Sequence, residues 1–152
     1  MHHLNTKRSS TNDPDFIYLV SLLDNELWVV LHEDQSMYEQ YNKVSGISTA
    51  IIVYDKEKAV ACGCYKEYNT TTVEIKRMFV EKNHRGNGIS KLVLKELENW
   101  ADENGFQYAV LETSTHFTVA KNLYQRAGYI IIPNYDQYEG LEESVCMKKK
   151  LR

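Results

Sequence analysis

One change of period constrains the fold more than any other feature of the chain. Val73 to Val80 reads as a β-strand. From Ile89 the apolar residues Ile89, Leu92, Val93, Leu97, Trp100 and Ala101 fall on one stripe of a helix. Between the two stand a polar turn and the glycines of Arg85-Gly86-Asn87-Gly88. Asn104-Gly105 closes the helix as a left-handed cap, and Gln107 to Leu111 then reads as a buried strand. A strand, a helix and a strand in succession form a crossover, which makes the two strands parallel. Sheets with such crossovers take their ligands at the carboxyl ends of the strands, which is where the glycine turn lies. Free backbone amides and the positive end of a helix dipole hold a phosphate or pyrophosphate at such a point, and glycine lets the backbone come close to it. Arg85 adds a fixed charge there. The spacing excludes two familiar phosphate motifs. No Gly-x-x-x-x-Gly-Lys-Ser/Thr is present, and Lys91 stands where a third glycine of Gly-x-Gly-x-x-Gly belongs.

The other elements alternate in type. Phe16 to Leu22 reads as an apolar strand, Asp24 as the cap of a helix from Asn25 to His32, and Gln35 to Asn42 as a second short helix. Ile47 to Tyr54 and Ala59 to Lys66 form a hairpin around Asp55-Lys56-Glu57-Lys58, and Asn69-Thr70-Thr71 turns into the Val73–Val80 strand. Ala120, Leu123, Tyr124 and Ala127 mark another helical stripe, ended by Gly128. Tyr129 to Ile132 and Ser144 to Lys149 are the last strands. The order β-α-α-β-β-β-α-β-α-β-β predicts an α/β (α+β) mixed sheet of about seven strands. Its N-terminal part is antiparallel, with one parallel pair after it and four helices. Residues 1–13 are polar and are expected to be a flexible tail before a single domain over 14–152.

The formal charge of −3 gives no electrostatic reason to expect a nucleic-acid partner. Cys62-Gly63-Cys64 is too close-set for a zinc half-site, and no metal site is expected. The two thiols share a strand face and read as small core residues in a reducing, cytoplasmic compartment. No apolar run is long enough to span a membrane, and Met1 to Asn5 does not resemble a signal sequence.

Two motifs carry a family resemblance. Arg85-Gly86-Asn87-Gly88-Ile89-Ser90 is similar to Arg/Gln-x-x-Gly-x-Gly/Ala, with Ser90 at the last position. Ala120-Lys121-Asn122-Leu123-Tyr124-Gln125-Arg126-Ala127-Gly128-Tyr129 resembles Ala-x-x-Leu-Tyr-x-x-x-Gly-Phe, with Phe117 where members often carry Asn. Over residues 15–150 the chain resembles the GNAT superfamily of N-acetyltransferases. The resemblance implies acetyl-CoA as cosubstrate. The amides from Gly86 to Ser90, through Asn87, Gly88 and Ile89, would bind the pyrophosphate of coenzyme A beside Arg85. The strand edge at Met78, Phe79 and Val80 would pair with the pantetheine arm as another strand does. An N–H there, that of Met78, would polarise the thioester carbonyl. Tyr124 stands where the family places its general acid: a phenol, protonated at neutral pH, able to give its proton to a departing thiolate. Asn122 would reach the cofactor through its amide.

An ammonium must lose a proton before it attacks. Glu74 stands eleven residues before Arg85, as the catalytic glutamate does in one branch of the family, and shares strand parity with Met78 and Val80 unless a bulge intervenes. Glu112, His116 and ordered water are its rivals. By resemblance, the first two helices and the loop between the last strands wall the acceptor side. Residues 24–42 hold five acids and no Lys or Arg, and Pro133 to Gly140 brings two tyrosines and two acids. The acids favour a cationic amine, and the loop's resemblance to that of members acting on small amines or amino acids implies a small-molecule primary amine, such as an amino acid or a polyamine. The alternatives are a protein amine and a non-catalytic acyl-CoA sensor. A homodimer is compatible with such a domain.

Overall fold

In the computed structural model, which describes residues 3–31 and 44–152, the first helix begins earlier than the sequence suggests. It is α1 (Pro14–Leu31). Asp13 accepts the Asp15 N–H at 2.9 Å through its side chain and the Ile17 N–H at 3.0 Å through its carbonyl, with Pro14 at the first helical position. The strand expected over Phe16–Leu22 and the cap at Asp24 are therefore corrected. The apolar spacing that decides is three, since Phe16 and Leu19 are both buried. The expected loose segment is corrected as well. Leu4–Ser9 is β1, paired antiparallel with β2 (Ala50–Asp55) from Leu4↔Asp55 to Ser9↔Ala50.

The remaining strands are β3 (Lys58–Asn69), β4 (Thr72–Val80), β5 (Tyr108–Ser114), β6 (Ile130–Ile132) and β7 (Ser144–Lys150). The helices α2 (Ile89–Glu103) and α3 (Thr118–Arg126) lie at the stripes read from the sequence. The strands are hydrogen-bonded in the order β1-β2-β3-β4-β5-β7-β6, a mixed sheet whose β4–β5 pair is parallel. Three α-helices are seen among the described residues. The helix expected over 35–42 lies outside them.

The chain gathers into two compact units, 1–66 with 76–97, and 67–75 with 98–152. In the first, Phe16 and Leu19 of α1 pack on Ala50, Ile52, Ala59, Cys62, Cys64 and Phe79. The two cysteines are thus buried core residues outside any disulfide. Gly63, between them, is bare for a reason. A Cβ there would stand 2.7 Å from Met78 Sδ and 2.9 Å from Val93 Cγ1. In the second unit, β5 pairs with β7 along its whole length, from Tyr108↔Lys150 to Ser114↔Ser144. With the start of β4 it shares only Thr72↔Tyr108, Val73↔Ala109 and Glu74↔Val110.

Candidate active site

The end of β4 shows which edge is open. Glu81 donates its N–H to the Val60 carbonyl of β3 at 2.8 Å. By alternation, Val80 and Met78 turn their N–H and C=O to the opposite edge. Arg85 Nε donates to the Val80 carbonyl on that edge at 2.8 Å. Phe79 points its ring into the core, and by the same alternation its N–H and C=O face β3 rather than this edge.

The turn that follows is pinned on both sides. His84 bridges two carboxylates, with Nδ1 at 2.6 Å from Glu81 Oε2 and Nε2 at 3.1 Å from Asp55 Oδ2. The Glu81 bond, and after it Asp55, raises the imidazole above its ordinary value against the opposing effect of burial. Asn87 Nδ2 donates to the His84 carbonyl at 3.2 Å. Gly86 and Gly88 have φ of +83° and +76°, which only glycine adopts freely, and a Cβ at either would meet nothing within 4 Å. The first bond of α2 is Leu92 N–H to the Gly88 carbonyl at 3.1 Å. Among the described residues, no protein acceptor takes the amides of Gly86, Asn87 or Gly88. Ile89, 2% exposed, anchors the helix below, and Ser90 is half-buried. Unclaimed amides at a helix N-terminus, with open space before them, fit a pyrophosphate.

Arg85, expected beside the pyrophosphate, lies at the turn with its guanidinium half exposed. Its Nη2 reaches both oxygens of Glu26 on α1, at 2.8 and 2.6 Å, and its guanidinium carbon lies 5.7 Å from the centre of the Phe79 ring. Its charge is paired within the protein, and it braces the turn against β4 and α1.

The second unit holds the candidates for proton transfer. Tyr124 on α3 is 7% exposed and meets Tyr129 edge-on, with ring centres 6.0 Å apart. Burial, and then the charge of Glu112, pushes its phenol above the ordinary 10, so it stays protonated. Tyr129 donates to Glu98 at 2.9 Å, and Lys149 holds the other Glu98 oxygen at 2.8 Å. Asn122 lies exposed on the same helix. Glu74, 2% exposed, accepts a 2.7 Å hydrogen bond from the Tyr135 hydroxyl. The Tyr135 ring is fixed edge-on by Tyr68 at 5.3 Å and by Tyr138 at 5.6 Å. The Asn134 side chain knits the loop by reaching the carbonyls of Tyr138, Leu141 and Ser144, at 3.2, 3.0 and 3.1 Å. Glu112 accepts from Ser144 Oγ at 2.8 Å, and His116 sits in an exposed pair with Glu143. Burial first, and then Glu112 and Glu74, push the Cys146 thiol up to about 11, so this cysteine is not a nucleophile at neutral pH.

Sequence reasoning missed two features. Tyr135 as the partner of Glu74 was signalled only by the tyrosines of its loop. The other is Arg77, whose φ of +61° puts a bulge-like left-handed residue inside β4. With such a residue between them, period-two alternation does not by itself set Glu74 on the face of Met78 and Val80.

Residues 17–129 match the family described as the Acetyltransferase (GNAT) family. The chain is 31% identical over 100 residues to the uncharacterised N-acetyltransferase YsnE of Bacillus subtilis, a stretch covering 64% of this chain and 66% of that protein. Its matches span from 37% to 66% of the lengths of the first curated relatives. A Klebsiella pneumoniae protein, solved as a candidate acyl-CoA N-acyltransferase, superposes with a TM-score of 0.79 at 25% identity, over 100% of this chain and 99% of that one. A GNAT family acetyltransferase of Elizabethkingia anophelis, solved with acetyl-CoA bound, superposes with a TM-score of 0.69 at 16% identity, over 97% of each.

Proposed function

The chain belongs to the GNAT acetyltransferase family, and from that premise we propose that it transfers the acetyl group of acetyl-CoA to a small primary amine by direct attack. One observation carries this reading: the Gly86–Gly88 turn at the carboxyl end of β4, whose amides meet no protein acceptor among the described residues and whose backbone leaves open space. Acetyl-CoA, when bound, supplies an activated acyl group on a good leaving thiolate. The amides from Gly86 to Ser90 hold its pyrophosphate, and the β4 edge at Met78 and Val80 holds its arm. Asn122 is assigned to the same ligand.

The chain's own groups supply the rest. The Met78 N–H, on the open edge, is the donor for developing negative charge on the carbonyl oxygen. Tyr124 gives the proton that the thiolate needs, and its raised phenol pKa keeps that proton available. Glu74, oriented by Tyr135, receives the amine's proton. Buried cysteines outside any disulfide support a reducing compartment. No described helix is long and apolar enough to cross a membrane.

A panel of amines with acetyl-CoA and a free-thiol readout tests the proposal. Release of coenzyme A with at least one small amine is expected. In Tyr124→Phe that release should drop about a hundredfold, with acetyl-CoA binding intact. Binding of acetyl-CoA without thiol release from any amine would leave a non-catalytic acyl-CoA module as the answer.

A further inference from the structure

Arg77 combines two costs that a structural residue has no reason to carry. Among the described residues it is the only non-glycine within a strand to hold a positive φ; of the other two, Lys56 sits in a turn and Asp136 opens a short 3-10 helix. Such a backbone is disfavoured for any side chain with a Cβ. Its guanidinium is also buried, with the side chain 4% exposed, and yet Nε has no hydrogen-bond partner. A guanidinium cannot shed its charge, and a buried N–H left unpaired is rare.

Its surroundings say what it is suited to. Nη2 is bonded to one oxygen of Asp24 on α1, so the site already accepts a carboxylate. That carboxylate belongs to a side chain 51% exposed, engaged through a single oxygen, and therefore replaceable. The fork of an arginine matches a carboxylate with two parallel bonds. Arg77 also directly precedes Met78, the residue whose amide is assigned to the acyl carbonyl.

We infer that Arg77 is the receptor for a carboxylate on the acyl acceptor, so that the acceptor is an amino acid or a similar small amino-carboxylate. The acceptor's carboxylate engages the guanidinium fork, including the unpartnered Nε–H, and Asp24 gives way to it. Anchored one residue from the oxyanion donor, such an acceptor presents its amine in a fixed orientation. This rests on the acetyltransferase reading. It selects, within that reading, against the cationic diamine that the acidic residues of α1 taken alone would suggest.

Matched acceptors test it. Each α-amino acid is offered as the free acid and as its α-carboxamide, together with 1,4-diaminobutane, and thiol release is followed. The free acid should exceed its amide by about tenfold or more in kcat/KM. In Arg77→Lys, which keeps the charge and loses the fork, that ratio should fall toward one while the Kd for acetyl-CoA is unchanged. Asp24→Asn alters only the exposed end of the pair and should lower KM for the acid, which keeps the proposal open to test if the Arg77 variant folds poorly. Equal use of acid and amide, or a diamine used faster than either, overturns the assignment. If no acceptor turns over, calorimetry with N-acetylated acid and amide in the presence of coenzyme A decides separately. Binding of the acid alone upholds Arg77 although the transfer reading has failed, and equal binding or none overturns it.

Discussion

Tyr135 shows why the proton-transfer residues must be argued singly. Its hydroxyl is the donor that holds Glu74, and its ring is braced by two neighbours, so the carboxylate is held in one orientation. Tyr135→Phe removes the bond and keeps the ring. It should lower kcat about tenfold and leave KM for acetyl-CoA unchanged, as steady-state rates against both substrates will show. An equal rise in KM for acetyl-CoA would place Tyr135 with the cofactor instead. Tyr124 carries a pH prediction. Burial and Glu112 both favour the neutral phenol, so its folded pKa lies above 10 and the donor stays protonated through the alkaline range. The rate should show no loss assignable to Tyr124 below pH 10. A fall centred near pH 9 that disappears in Tyr124→Phe would contradict the assignment. That Glu74 lies on a strand and Tyr124 on a helix was legible in the sequence, because the periodic patterns fix those elements. The Tyr135–Glu74 bond was not, since it joins residues 61 apart and no spacing rule reaches so far. The departure at Arg77 was hidden for another reason: a left-handed residue inside a strand leaves the composition of that strand unchanged.

At the scale of elements, the crossover from β4 through α2 to β5 was legible almost to the residue, because glycines punctuate it and the period changes across it. The start of the chain was not. Phe16 to Leu22 fits a strand by composition, and the Asp13-Pro14 signal that makes it a helix lies just before the apolar run. β1 was overlooked because an edge strand with exposed side chains has no apolar alternation to read. Two element-level predictions follow from packing. Gly63→Ala forces a Cβ against Met78, Val93 and Leu97, and overpacking of this kind costs about 1–3 kcal/mol in a denaturant titration. The His84 clamp gives the turn a pH window. His84 is raised above 6.5, so its contribution is full below that value and is lost as pH rises through the folded pKa. Glu81 is lowered from 4.5, mainly by His84, so its contribution is lost as pH falls through its folded value. The stability difference between wild type and His84→Asn should therefore be greatest, on the order of 1 kcal/mol, between about pH 4.5 and 6.5. It should shrink on the alkaline side, as unfolding measured at a series of pH values will show.

At the scale of the whole molecule, residues assigned to the cofactor fall in one compact unit, apart from Asn122, and those assigned to proton transfer fall in the other. β4 contributes residues to both, with Glu74 in the second unit and Met78 in the first. Ligand binding is then a test of the fold as well as of the turn. A ligand that binds only the native state stabilises it by mass action, about 2.7 kcal/mol at a hundred times its Kd. For a chain of this length each kcal/mol moves the melting temperature by roughly 2–4 °C. Saturating acetyl-CoA should therefore raise Tm by about 5–10 °C, with coenzyme A close behind. ATP, which lacks the pantetheine arm that the β4 edge is suited to receive, should do much less. Gly86→Ala should shrink the shift, because its φ of +83° is strained for alanine and the amide beside it moves. An equal shift from ATP and acetyl-CoA would mean that the turn reads phosphate alone. The assignment of the β4 edge to an acyl-bearing arm would then be wrong, even with the pyrophosphate cradle intact.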